Sequence, residues 1–445
     1  MRLASLLLGS LVPGALLLVW PAALNGFPLV FIDTVSYLFH TTAPEIPWDK
    51  TQAYGPFLHL FHWQWSLWPP MLAQGLWASW FLWLAQRAVR GEVSPAWHLL
   101  VCGVLAALSA APWFLATLMP DALTALVPLG LFLLGFAALS RREALAVGVL
   151  TTLAIAAHLS HLPNALALVV LTALLTRLVT PVLRVAAPFA LALLLLGTSN
   201  LIGFGRFTLS PHGSVFLLAR LQGDGLAAAT LRERCPLAGW HLCAFVDRLP
   251  MDSDEFLWDG TSPLNRNADG SPRAMGGVQG ATEAREIVAA TLADRPGAVI
   301  AAMLGNAARQ ILLVQVGDTL SAEHLAASAR RPIAAHFPPD TLASFDGALQ
   351  MRGLLPAAAA PFLWPQVPVL MGAALAALLL LRVAWRARDL PRGALILFAF
   401  AALVANAVAT GALSKPHHRY EARIIWLLPA AALLAALPRR RPQPG

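Results

Sequence analysis

The sequence predicts an all-α polytopic membrane protein of about ten transmembrane helices, with an extracytoplasmic, mostly helical region inserted between spans seven and eight. Three observations lead there. Of the 445 residues, 58% are apolar and only 12% are charged, against roughly 45–50% and about 25% in an ordinary soluble domain. The apolar residues gather into long runs, as a hydrocarbon core requires. The positive charges sit in short clusters between those runs, which is how an inner-membrane protein uses them. Such a composition excludes a disordered chain, a collagen-like chain and a typical cytosolic enzyme. The net charge of +8 raises nucleic acid as a partner, but this clustering argues against it. Only Lys50 and Lys415 among the 31 basic residues are lysines, an arginine bias that reads as a GC-rich bacterial genome.

The spans follow in order. Residues 5–24 form the first, an apolar run after Arg2. A cleaved signal peptide is the alternative, opposed by the length of the run and the lack of an A-x-A site. Spans 71–86 and 95–111 are separated by Arg87 and Arg90, and spans 122–140 and 144–160 by Arg141 and Arg142. Spans 164–180 and 184–203 flank a turn crowded by Arg177, Pro181 and Arg184. Span 361–381 precedes the cluster Arg382, Arg386, Arg388 and Arg392, followed by 393–413 and by 424–438, which ends at Arg439, Arg440 and Arg441. Trp20, Trp48, Trp63, Trp65, Trp68, Trp113, Trp364 and Trp426 lie near predicted ends, as interface belts do. With the N-terminus in the cytoplasm, 14 Lys and Arg fall inside and 4 in short outside loops. That bias puts both termini in the cytoplasm of a multi-pass inner-membrane protein. Ala298–Val316 could be an eleventh span. It carries Asn306, Arg309, Gln310 and Gln315, and an odd count would throw Arg382–Arg392 outside. An interfacial or packed amphipathic helix is the better reading.

The chain thus divides into a transmembrane module at 1–203 with a first outer loop at 25–70, an extracytoplasmic region at 204–360, and a transmembrane module at 361–445. Within the second, Thr282–Ala293 reads as an amphipathic helix with a Thr cap, stopped before Pro296. Cys235 and Cys243 lie in this region. If it is extracytoplasmic they can form a disulfide; otherwise they are two free thiols. Cys102 reads as a packing residue inside a span.

Three segments carry candidate chemistry, because an acid or cation near a span end is costly unless solvated, paired or useful. Asp33 follows the first span. With Ser36 and Tyr37 it shares one face of a helix, where it could accept a proton from a hydroxyl or simply cap the helix. Asp121 opens the fourth span, where the helix dipole alone would favour it, yet the topology puts it on the same membrane face as Asp33. The loop Ser414–Arg423 concentrates Lys415, His417, His418, Arg419, Tyr420 and Arg423 on the outside. A bound anion would offset that cost, since guanidinium groups match phosphate; pairing with Glu421 and lipid headgroups is the alternative. His59, His62, His158, His161, His417 and His418 are candidate lining residues. His59 with His62 and His158 with His161 have a spacing that could hold a metal, but neither pair has an obvious carboxylate partner. Asp252, Asp254, Glu255 and Asp259 lack the glycine and the ligand series of a calcium loop.

Together these residues resemble the GT-C superfamily, membrane glycosyltransferases that use polyprenyl-phosphate sugars. Asp33-Thr34-Val35-Ser36-Tyr37-Leu38, followed by Tyr54-Gly55-Pro56-Phe57, looks like the family's first loop. Met119-Pro120-Asp121-Ala122-Leu123 looks like its second acidic motif, and Arg419-Tyr420-Glu421-Ala422-Arg423 is similar to its basic C-terminal segment. The resemblance covers about 1–200 and 360–438 as architecture. It implies transfer of a sugar from a polyprenyl-phosphate donor to a lipid, glycan or protein acceptor at the outer face, with inversion. It further implies Asp33 as general base, Asp121 orienting the acceptor or assisting Asp33, and Lys415, His418, Arg419, Tyr420 and Arg423 at the lipid phosphate. Tyr37, Tyr54, His62 and His161 would contact substrate. The first loop has one acid where some members have two, so no cofactor is implied; a divalent metal is compatible with the residues, but nothing calls for it. Membrane lipids are the other expected partner. The competing classes are a transporter or flippase for a lipid-linked or anionic solute, which would place charges at mid-membrane, and a non-catalytic scaffold, in which Asp33 and Asp121 would not converge.

Overall fold

The computed structural model describes residues 2–43 and 45–439, with side chains from residue 9 onward. Every regular element among them is helical; extended pairing is confined to the single bridges Leu29–Thr117 and Arg266–Pro272. Three helical stretches are long and apolar enough to cross a membrane: Val179–Phe204, Leu355–Arg386 and Leu390–Leu413. Each of the other predicted spans overlies a shorter or less apolar helix. Residues 71–86 lie within Trp68–Arg90, for example, and 164–180 largely within His161–Thr176. Arg440 and Arg441 lie outside the described residues.

Local chemistry sets the ends. Trp68–Arg90 starts on a proline-bearing turn and stops at Gly91, whose φ of 86° is left-handed. Its 23 residues make a rod of about 34 Å. Arg141–Ala156 opens with a capping box in which the Ser140 hydroxyl accepts from the Glu143 N–H, and Glu143 accepts from that of Ser140. His161–Thr176 ends at Arg177 in the left-handed region, at the turn that the sequence crowds with charge.

The chain forms two compact units. The first comprises residues 1–199, 314–406 and 418–445. Its centre is the stretch 109–134, buried without interruption. Trp68–Arg90 packs against Arg2–Leu18 and Leu126–Phe136, and Gln366–Arg386 packs along Leu427–Ala436. The outer surface is apolar: Leu191, Leu194, Leu375, Leu379 and Val383 are all exposed. Water penalises that arrangement and lipid does not. Residues assigned by sequence to one membrane face pair with one another in this unit. Arg87 pairs with Glu143 at 2.8 Å, Arg439 with Asp389 at 2.7 Å, and the Arg90 Nε donates to the Pro438 carbonyl at 2.9 Å.

Residues 314–360, read from sequence as part of the inserted region, cluster with this first unit. Val316, Leu320, Ile333, Phe337 and Phe345 enter its core. Gln350 ties the segment down: its amide accepts from the Val30 N–H and donates to the Val30 and Thr319 carbonyls, while its backbone N–H donates to Asn25.

The second unit comprises 200–313 and 407–417 and has its own core of Val215, Leu218, Leu231, Phe256 and Ile287. Cys235 and Cys243 are joined in a disulfide. Ala281–Asp294 and Pro296–Leu312 meet at a bend of 104°.

Candidate active site

Two segments far apart in sequence are joined edge to edge. The Leu29 N–H donates to the Ala116 carbonyl at 3.0 Å, and the Leu118 N–H donates to the Leu29 carbonyl at 2.8 Å. The buried Thr34 hydroxyl extends the seam, donating to the Leu118 carbonyl and accepting from the Phe31 N–H. Gln74 braces it from Trp68–Arg90 by donating to the Leu115 and Thr117 carbonyls. Asp33 follows one edge of this seam and Asp121 follows the other.

Asp33 stands at the N-cap position of Thr34–Thr42 but makes no capping hydrogen bond. Its carboxylate turns to cations instead, with Lys50 Nζ at 3.0 Å and Arg419 Nη1 at 3.5 Å. Asp121, buried in the short turn Pro120–Leu123, meets Arg423 Nη1 at 3.3 Å and Arg419 Nε at 3.8 Å. One guanidinium therefore reaches both acids. Arg419 and Arg423 stand four apart on His418–Ile425 and share a face, with the Tyr420 ring about equally near both. Arg419 also lies over the Phe31 ring at 4.3 Å. Fully buried Arg423 donates to the Ser160 hydroxyl at 2.9 Å and the Asn406 carbonyl oxygen at 3.3 Å.

The electrostatics follow from this pairing. Burial pushes the Asp33 carboxyl up, but Lys50 and then Arg419 outweigh it and hold the group below the usual carboxylate range. Asp121 is likewise pushed up by burial and brought below its ordinary value by Arg423 and Arg419. Both are carboxylates at neutral pH. Glu421 behaves oppositely: burial raises it to about 8, and the hydrogen bond from Asn406, at 2.9 Å, only partly offsets that. Asp33, at 24% side-chain exposure, is the accessible acid; Asp121 is sealed.

Tyr37 and Tyr54 meet edge to face at 5.0 Å, and burial raises both phenols. The Tyr54 hydroxyl donates to Gln74. His161 Nδ1–H donates to the Ala154 carbonyl at 2.7 Å, so its Nε2 accepts from the Thr124 hydroxyl at 2.9 Å; burial holds the ring neutral, at about 3. His62 lies at the far end of Tyr54–His62, roughly 12 Å along the helix from Tyr54, against Phe337. His418 Nδ1 accepts from the Gln315 N–H. Lys415 belongs to the second unit, where Asp252 at 2.7 Å and Asp254 at 2.9 Å hold its ammonium.

No family model, curated protein or solved structure matches the chain.

A divalent metal does not fit this donor set. Each acid already faces two cations, and among the described residues no three His, Cys, Asp or Glu side chains converge as a ligand set. Sequence reading missed Lys50, Ser160 and Asn406 as members of the site. Lys50 alone carried a signal, as one of two lysines in the chain and the positive charge of the first outer loop. Ser160 and Asn406 are ordinary span-end and mid-span polar residues until Arg423 is placed between them.

The arrangement can do three things. Asp33 can accept a proton from a hydroxyl, Arg419 can exchange its carboxylate partners for another anion, and Asp121 with Arg423 can hold the geometry.

Proposed function

We propose that this chain is a GT-C type membrane glycosyltransferase. It would move a sugar from a polyprenyl-phosphate donor to a lipid, glycan or protein acceptor on the outer face of a bacterial inner membrane, with both termini in the cytoplasm. The observation that carries the reading is the reach of Arg419 to Asp33 and Asp121 from a helix about 300 residues distant from the nearer acid in sequence. A scaffold predicts no convergence of Asp33 and Asp121, and one guanidinium reaches both. A transporter would hold charge at the middle of its spans, whereas Asp33 and Arg419 belong to segments between apolar runs.

In this reading the acceptor hydroxyl gives its proton to Asp33 as its oxygen bonds to the anomeric carbon. The bond from that carbon to the phosphate oxygen breaks on the opposite side, and the electron pair leaves with the lipid phosphate, so the anomeric centre inverts. Arg419 and Lys50 receive the developing negative charge. An incoming phosphate draws Arg419 from Asp33, and losing that cation moves the carboxyl up toward a more useful base. Arg423 holds the sealed Asp121, which assists Asp33 by keeping Arg419 in place, while Lys415 is engaged by Asp252 and Asp254.

In cells, Asp33→Asn is expected to abolish the glycolipid or polysaccharide modification while leaving protein abundance unchanged. Unaltered modification by that variant rejects the enzyme reading.

A further inference from the structure

The helix Pro296–Leu312 is built inside out. Its exposed face carries Ile300 at 58%, Leu304 at 64% and Leu312 at 76%. Its covered face carries Asn306 and Gln310 between Val299 and Ala307: Asn306 donates to both oxygens of Asp224, and Gln310 is fully buried. Arg309, in the last turn, is the one charged side chain among the exposed positions. A helix on a water-facing domain does the reverse. The preceding helix, Ala281–Asp294, follows the ordinary rule. It buries Ala284, Ile287 and Val288 and exposes Arg285, Glu286 and Asp294. The polarity of the exposed surface therefore changes at the 104° bend between the two helices.

What covers the apolar face is indicated by its neighbour. Gly411, in the last turn of the candidate span Leu390–Leu413, packs directly on the Pro296–Leu312 backbone. A Cβ there would stand 2.7 Å from the Asn306 carbonyl oxygen and 2.8 Å from the Ala307 Cα, so no larger residue fits. Val408 and Leu413 of that turn are also exposed, continuing the apolar surface. Gln310 closes the contact with two hydrogen bonds, accepting from the His417 N–H at 2.9 Å and donating to the His417 carbonyl at 2.8 Å.

We infer that the apolar face of Pro296–Leu312 lies against the bilayer, in contact with lipid acyl chains at the depth where Leu390–Leu413 ends. The helix then anchors the second unit to the membrane. Chain outside the aqueous phase is stable here because its inward polar groups are satisfied by Asp224 and His417, its outward side chains are mostly hydrocarbon, and the exposed Arg309 lies in the last turn, where a long side chain reaches the interface. This inference does not rest on sugar transfer, and either can fail alone.

The test is site-directed fluorescence on the full chain in lipid nanodiscs. A polarity-sensitive fluorophore is placed at Leu304→Cys and, separately, at Ile300→Cys and Arg285→Cys, all in a Cys102→Ala background. Labels at 300 and 304 are expected to emit at shorter wavelength than the label at 285. They should be quenched strongly by doxyl-labelled lipid and several-fold less by iodide, with the opposite pattern at 285. Equal iodide quenching at all three positions overturns the inference. So does protection of 300 and 304 from both quenchers, which would assign the face to a second protein surface.

Discussion

At the scale of single residues, the behaviour of Asp33 depends on its neighbours more than on its own chemistry. An aspartate at an N-cap ordinarily bonds backbone N–H groups, and this one faces Lys50 and Arg419 instead. Asp33→Asn removes the proton acceptor with little change in shape, and a loss of about 10²–10⁴-fold in kcat is expected. Arg423→Gln leaves Asp121 buried with Arg419 alone at 3.8 Å. Breaking a buried pair in this way typically costs about 3–5 kcal/mol. A lowered Tm in detergent is expected, with part of the loss regained in the double variant Asp121→Asn/Arg423→Gln. Glu421 gives a pH dependence of the opposite sign to Asp33 and Asp121. Its folded-state value, about 8, lies above the ordinary 4.5. Between these values the unfolded chain releases a proton that the folded chain keeps, so stability falls as pH rises through the window. The two aspartates are held low, so their contribution is present above the ordinary 3.8 and is lost as pH falls through their lower folded-state values. Glu421→Gln is therefore expected to flatten the decline in Tm between pH 5 and 8 and leave acid unfolding in place.

At the scale of elements, helices were legible from apolar runs and charged breaks, and their associations were not. The turn at Arg177 was readable because charge and proline crowd it, and the end of Ala281–Asp294 because Pro296 follows; its start was not, since the helix begins after Gly280 with no side-chain cap and Thr282 lies inside it. The acids and arginines of the site were readable because a charge at a span end demands a reason. Their meeting was not, because it runs through backbone pairing at Leu29 and Leu118 that leaves no pattern in side-chain chemistry. The clustering of 314–360 with the first unit left little pattern for a related reason: Val316, Leu320, Ile333, Phe337 and Phe345 are spaced singly, and Gln350 works through backbone groups. Thr34 tests the seam directly. Thr34→Val leaves the Phe31 N–H without its acceptor, a cost of roughly 1–3 kcal/mol. The transfer rate is expected to fall more than donor affinity does, because Asp33 shifts while Arg419 and Lys50 remain. Equal losses in both would assign Thr34 a purely structural role.

At the scale of the whole molecule, apolar helices long enough to cross a membrane share the first unit with a buried cluster of acids and arginines. Exposed leucines and valines on Gln366–Arg386 beside sealed arginine and aspartate invert the soluble pattern. Topology is open to direct measurement. A fluorescent reporter that matures only in the cytoplasm is expected to glow when fused after Gly445. Inserted beside Leu237, exposed within the disulfide-closed loop, it is expected to stay dark. Fluorescence at the second position would reverse the assigned faces.

The most direct measurement is transfer itself. Purified protein in liposomes is given a labelled polyprenyl-phosphate sugar and extracted envelope acceptors, and the anomeric configuration of any product is read by NMR. Sugar on an acceptor with inverted configuration is expected from the natural chain and none from Asp33→Asn. Transfer with retained configuration, or undiminished transfer without the Asp33 carboxylate, would contradict it.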